Sequence, residues 1–296
     1  MSARFLTVVL ERAFNMRDGF GREIDYMRIS VIDSCNLNCY YCNPCDNNEH
    51  CHALNILSVK EVLCIVRAAT RLGIKHFRLT GGEPLLHPQL DEMVLQIKKI
   101  PGVSSVSLTT NAVLLAQHAK WLKEAGIDSI NVSLDTIDAS EYERITKKPL
   151  LEEVKHGINA AIECGIRVKI NVVLTPQTDV VALTRYVAKK GTDIRFIEMM
   201  PVGEGHTNGV EPYKKVIGTL SKLYGEPCRI NTEKTKEINS GNDKRKIPDN
   251  GPAEYYIFPE LGIRVGLIQA IHGKFCDTCN RIRVTADGRL MPCLGS

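Results

Sequence analysis

HFRLTGGEPLLHPQLDEMVLQIKKIPGVSSVSLTT, residues 76 to 110, holds one full copy of the pattern that decides the fold. His76-Phe-Arg-Leu-Thr80 and Ser105-Val-Ser-Leu-Thr109 each alternate polar with apolar side chains. Between them, residues 88–99 carry helical spacing and Gly102 follows where a helix C-cap belongs. Strand, helix and parallel strand in succession make a βα unit with a right-handed crossover.

The same unit recurs from Met27 to Ile197. Strands are expected at Arg28–Ile32, Ile130–Leu134, Val168–Leu174 and Ile194–Ile197, and helices near 58–72, 114–125, 151–164 and 180–190, with Gly73, Gly126, Gly165 and Gly191 after them. A parallel sheet covered on both faces reads as continuous apolar residues. Here one parity is polar throughout: Arg28 and Ser30; His76, Arg78 and Thr80; Ser107 and Thr109; Asn131 and Ser133; Arg167, Lys169 and Asn171. That face lines a wet, cationic cavity suited to phosphate. The fold class is therefore α/β, an incomplete (βα)6 TIM-like barrel over residues 1–197, short of the eight units of a closed barrel. Beyond Ile197 the rhythm fades. Residues 213–224 read as an amphipathic helix, 231–250 as a flexible connection, and Glu254–Phe258, Ile263–Ile268 and Arg281–Val284 as strands of a smaller α+β unit over 198–296.

With 44% hydrophobic residues, a net charge of +4 and no long apolar or basic run, the chain reads as a cytoplasmic globular protein, with neither membrane nor nucleic acid as partner. Eleven cysteines contradict an ordinary cytosolic composition and favour metal binding over disulfides. Cys64 and Cys164 are expected as small buried hydrophobes in helices. The others that matter form two triads. Cys35-x3-Cys39-x2-Cys42 follows strand 1, and three thiolates on one loop can take three irons of a cubane and leave the fourth open. Spacing alone also allows zinc, with Cys45, His50, Cys51 or His52 as fourth ligand. Cys276-x2-Cys279-x13-Cys293 is the second triad, which His272 would complete as a zinc site; Arg281 and Arg283 lie on one side of the strand beside it, as an anion clamp.

The first loop, with Tyr41 before its last cysteine and Thr80-Gly-Gly-Glu-Pro84 further on, resembles the radical S-adenosylmethionine (SAM) superfamily. The second triad, Asn280-Arg-Ile-Arg, Thr285-Ala-Asp-Gly-Arg289 and Gly251-Pro-Ala-Glu-Tyr-Tyr256 are similar to the GTP 3′,8-cyclases of molybdenum cofactor biosynthesis. The resemblance implies two [4Fe-4S] clusters, the second in the C-terminal unit, on Cys35, Cys39 and Cys42 and on Cys276, Cys279 and Cys293. It implies SAM at Tyr41, Gly82, Ser133 and Met200, and GTP at Arg28, Arg78, Thr109, Lys169, Arg281 and Arg283. The reaction implied begins with cleavage of SAM at the first cluster and joins ribose C3′ to guanine C8. A reductant such as flavodoxin or ferredoxin, cyclic pyranopterin monophosphate synthase downstream, and a homodimer are the implied partners. The chain departs from that pattern at Ser34, Asn43 and His76 and in the extra thiols Cys45 and Cys51; it ends at Ser296, before the family's diglycine tail, and impaired turnover is the expectation. Two other readings stay open: a radical SAM enzyme with a different substrate, and a zinc-stapled binding protein without catalysis.

Overall fold

The computed structural model describes residues 16–42, 55–200, 212–230, 251–273 and 275–293. Six parallel strands, β1 (Tyr26–Ser30), β2 (His76–Thr80), β3 (Ser105–Thr110), β4 (Ser129–Ser133), β5 (Val168–Leu174) and β6 (Asp193–Glu198), alternate with helices. These are α1 (Val59–Arg71), α2 (Leu90–Lys98), α3 (Leu115–Glu124), α4 (Ala139–Thr146), α5 (Leu151–Glu163) and α6 (Val180–Lys189). α7 (Pro212–Tyr224) and β7 (Cys228–Ile230), β8 (Glu254–Ile257), β9 (Arg264–Ile268), β10 (Arg281–Val284) and β11 (Leu290–Met291) complete the described elements. The apolar parity packs outward under the helices: Ile29, Phe77, Leu79, Leu108, Ile130, Val132 and Val172 are fully buried. The five expected cap glycines all take left-handed conformations.

All eleven strands form one sheet, in the order β11-β10-β1-β2-β3-β4-β5-β6-β9-β8-β7. β10 adds parallel to β1 and β9 adds parallel to β6, so the C-terminal segment extends the barrel sheet at both edges. Its remaining strands, β7, β8 and β11, pair antiparallel outside them. The sheet stays open, a partial barrel, with eight parallel strands among the described residues. The β6–β9 seam is stapled by Arg264, whose guanidinium forks onto Asp193 with both side chains nearly buried. No helix among the described residues is long and apolar enough to cross a membrane.

Three expectations change. β1 starts two residues earlier than expected because Tyr26 pairs with both Arg281 and His76, and after Ser30 the chain turns into the cysteine loop. Cys64 is exposed on the solvent side of α1, not buried; Val62, Val66 and Ala69 supply that helix's buried face instead. α4 was not foreseen: it is short, and its start rests on Asp138 accepting from the Glu141 amide. The expected connection over 231–250 and the thiols Cys45 and Cys51 lie outside the described residues.

Candidate functional site

The first cysteine triad hangs from the end of β1 and is gripped from three sides. The amides of Asn38 and Tyr40 donate to the carbonyls of Thr146 and Ile145, so the last turn of α4 seats the loop with its own spare acceptors. Asn111, just past β3, donates from Nδ2 to Asn36 at 2.7 Å and toward the Cys35 sulfur at 3.8 Å. Tyr41 donates its hydroxyl to Asp135, which also receives the Val173 amide at 2.7 Å. Beneath the loop, Gly82 donates to the Ile32 carbonyl and Glu83 to the Ser34 carbonyl, both at 2.8 Å. A Cβ at Gly82 would stand 2.1 Å from the Ser34 oxygen, so only glycine lets this backbone pass. Glu83 is itself buried and fixes the far side, accepting from Thr110 at 2.6 Å and the Asn111 amide at 2.7 Å.

Burial, together with Asp135 and the neighbouring thiols, pushes Cys39 up to about 12; burial and Glu83 raise Cys35, and burial and Asp135 raise Cys42. Three free thiolates are thus unfavourable here, whereas thiolates bound to iron are the form a metal enforces. A cubane spreads three thiolates over separate irons and leaves the fourth iron open. The donor set suits the cubane.

Inside the sheet, register lines up the basic side chains. Arg283, Arg28 and Arg78 occupy neighbouring positions on β10, β1 and β2, and Asn131 and Lys169 continue the polar face on β4 and β5. Arg281 and Arg78 both lie under 6 Å from the Tyr26 ring, whose hydroxyl accepts from Arg78 Nε. Arg28 Nε is buried without a hydrogen-bond partner. Burial first, then repulsion from Arg283 and Arg78, pulls the Arg28 guanidinium down to about 9. An orphan buried donor costs about 1–3 kcal/mol, and an anion placed here removes both that cost and the repulsion. Arg78 also reaches Thr109 at 3.4 Å.

Cys276 and Cys279 sit on the turn that enters β10, and Cys293 follows β11. Arg283 feels both Cys293 and Cys279. Upstream, Glu198 at the end of β6 is buried and accepts the Ile271 and His272 amides at 2.8 and 3.1 Å and the His272 ring at Nδ1. Desolvation opposes ionisation of Glu198, but these hydrogen bonds outweigh it and hold the carboxyl below its usual range. His272 is thereby engaged by a carboxylate at Nδ1.

The Radical SAM superfamily matches residues 29–183, and Molybdenum Cofactor Synthesis C matches residues 192–296. A GTP 3′,8-cyclase of Clostridium perfringens strain SM101 is 37% identical over 282 residues, covering 94% of this chain and 83% of that protein. A GTP 3′,8-cyclase of Pelotomaculum thermopropionicum is 38% identical over 286 residues, covering 94% and 84%. This chain belongs to the GTP 3′,8-cyclase family. Its fold is also that of more distant proteins of known structure. SuiB of Streptococcus suis, bound to S-adenosylmethionine, superposes with a TM-score of 0.65 at 15% identity, over 91% of this chain and 60% of that one. Methylornithine synthase superposes with 0.54 at 17% identity, over 76% and 70%.

Within this GTP 3′,8-cyclase fold, Arg28, Arg78, Thr109, Lys169, Arg281 and Arg283 all fall on the polar face of one sheet. Tyr41 and Gly82 meet at the cysteine loop, Ser133 is exposed at the end of β4, and Met200 is half-buried just past β6. Sequence reasoning missed the residues that hold these in place: Tyr26, Glu83, Asn111, Asp135 and Glu198. Tyr26 had a signal, since it shares parity with Arg28. Glu83, Asn111, Asp135 and Glu198 share another, for each follows or ends a parallel strand at the C-terminal rim where barrel sites lie.

Proposed function

We propose that this protein is a radical SAM GTP 3′,8-cyclase, a lyase converting GTP to (8S)-3′,8-cyclo-7,8-dihydroguanosine 5′-triphosphate in molybdenum cofactor biosynthesis. The observation that carries the reading is the arginine row Arg283–Arg28–Arg78, with its orphan buried Nε, on β10, β1 and β2, two of which adjoin the cysteine segments in sequence. Cys35, Cys39 and Cys42 would hold the SAM-binding [4Fe-4S] cluster, and Cys276, Cys279 and Cys293 a second one beside the substrate. When bound, the first cluster and SAM supply the one-electron chemistry that activates the ribose.

The chain's own share is placement. Arg28, Arg78, Arg281 and Arg283 neutralise the triphosphate, forking onto its oxygens in place of repelling one another. Thr109 and Lys169 extend that contact along the sheet. Tyr41, Gly82, Ser133 and Met200 shape the SAM side, and Asp135 sets the tilt of Tyr41 through its hydroxyl. Residues 1–197 act as the radical SAM partial barrel and 198–296 as the unit for the second cluster and substrate. The partners are GTP, a flavodoxin- or ferredoxin-like reductant, and the cyclic pyranopterin monophosphate synthase that follows in the pathway; the compartment is the cytoplasm.

The test is 5′-deoxyadenosine formation by anaerobically reconstituted, reduced protein with SAM, with and without GTP, the nucleotides being identified by mass spectrometry. GTP-dependent formation with a cyclised guanosine product is the expected result. Formation indifferent to GTP would keep the superfamily and remove the substrate.

A further inference from the structure

An arginine outside the substrate row faces the second triad from the N-terminal segment. Asp18 and Arg22 close a tight turn: the Gly21 amide donates to the Asp18 carbonyl at 3.0 Å, the Asp18 amide to the Arg22 carbonyl at 3.1 Å, and the Arg22 amide to Asp18 Oδ1 at 3.0 Å. The same carboxylate takes Arg22 Nε at 2.6 Å, which leaves the guanidinium little rotational freedom. Its free edge then donates through Nη1 to the Cys276 carbonyl at 3.1 Å. Only 18% of the side chain is exposed. The next contacts tie the same two segments together, since Asn280 donates to Asp25 at 2.5 Å and the Tyr26 amide to the Asn280 carbonyl at 3.2 Å. Asp18 above all, with Cys279 and Cys276 adding, holds the Arg22 proton more firmly than usual.

We infer that Arg22 is a positioning residue of the second cluster site, fixing the Cys276 turn and holding a guanidinium against its backbone. The inference rests on the reading that Cys276, Cys279 and Cys293 hold a [4Fe-4S] cluster. Three thiolates give such a cluster net negative charge that grows by one on reduction. A fixed cation at its edge favours the reduced form and raises the reduction potential, by the same electrostatics that tune such clusters elsewhere.

The test uses the full chain, anaerobically reconstituted, with Cys35, Cys39 and Cys42 changed to Ala so that the second cluster alone is titrated by electron paramagnetic resonance. Arg22→Gln should keep the iron and shift the reduction equilibrium about tenfold toward the oxidised form, ~59 mV for a one-electron couple. Arg22→Lys should restore most of that shift. An unchanged midpoint in a fully loaded Arg22→Gln protein overturns the inference. If Arg22→Gln holds no cluster, Arg22→Lys decides: iron and midpoint close to the parent support the charged role, and equal loss of iron reduces Arg22 to a packing anchor. A parent protein without iron in this triad would instead remove the cluster reading beneath the inference, and that is seen before any change at Arg22.

Discussion

The two cysteine triads offer the same three thiols in opposite surroundings. The first is a single continuous loop backed by carboxylates, with Glu83 and Asp135 both raising its thiols. The second is split between the entry to β10 and the exit of β11, and its neighbours are Arg22, Arg281 and Arg283. Negative surroundings make an added electron costly and a donated one favourable, while positive surroundings welcome both electrons and anionic ligands. The contrast suits a division of labour in which the first site gives up an electron to SAM and the second site receives a polyphosphate.

The largest effect should come from removing a ligand on one side only. Cys39→Ala should lower iron by about four atoms per chain and bring 5′-deoxyadenosine formation to background, with the C-terminal iron kept; loss of all iron would mean the two sites do not load independently. Gly82→Ala attacks the same side without touching a ligand. Its Cβ has no room beside the Ser34 carbonyl, overpacking costs about 1–3 kcal/mol or more, and SAM cleavage should fall while C-terminal iron remains.

On the cationic side, Arg281→Ala should leave both clusters loaded and weaken GTP binding about 10- to 100-fold, as expected for a lost charge-assisted hydrogen bond. Anaerobic equilibrium dialysis over a range of salt would measure it, and unchanged affinity would remove the arginine row from substrate binding. Glu198→Ala unpins the Ile271–His272 turn, costs about 1–3 kcal/mol for the orphaned amides, and should lower C-terminal iron selectively. Smallest is a pH effect on the cluster-free protein. Burial pushes Asp135 up to about 6 from 3.8, against the hydrogen bonds from Tyr41 and Val173. Between those values the native carboxyl binds a proton that the unfolded chain does not, so this group adds stability as pH falls through 6 toward 4. Asp135→Asn should flatten that slope in thermal unfolding measured at pH 4.5 and pH 7.

The barrel was legible because its signal is repetitive: the apolar parity marks the side under the helices, and the polar parity marks the cavity. Both triads could be proposed from the sequence because cysteine spacing is visible without a fold. What escaped was support. α4 has few apolar residues and covers the core with little more than Tyr142 and Ile145, so no periodicity announced it, yet its terminal carbonyls seat the first cysteine loop. Glu198 and Asp135 looked like ordinary rim carboxylates, since their role depends on which distant amides reach them. The addition of β9 and β10 at opposite edges was likewise invisible, because nothing within a strand states its neighbour.

That arrangement governs how the chain is made. β1 emerges early, but its partner on one side is β10, residues 281–284, which leaves the ribosome only after all six barrel strands have been made. Until then one edge of the growing sheet stands open, carrying the Arg28 strand and the cysteine loop that follows it. Arginine on that edge discourages strand addition by another chain. The first cysteine loop and its supports on β2 to β4 all precede β10 in the chain, whereas the polar face beside β1 has no neighbouring strand on that side until β10 is made.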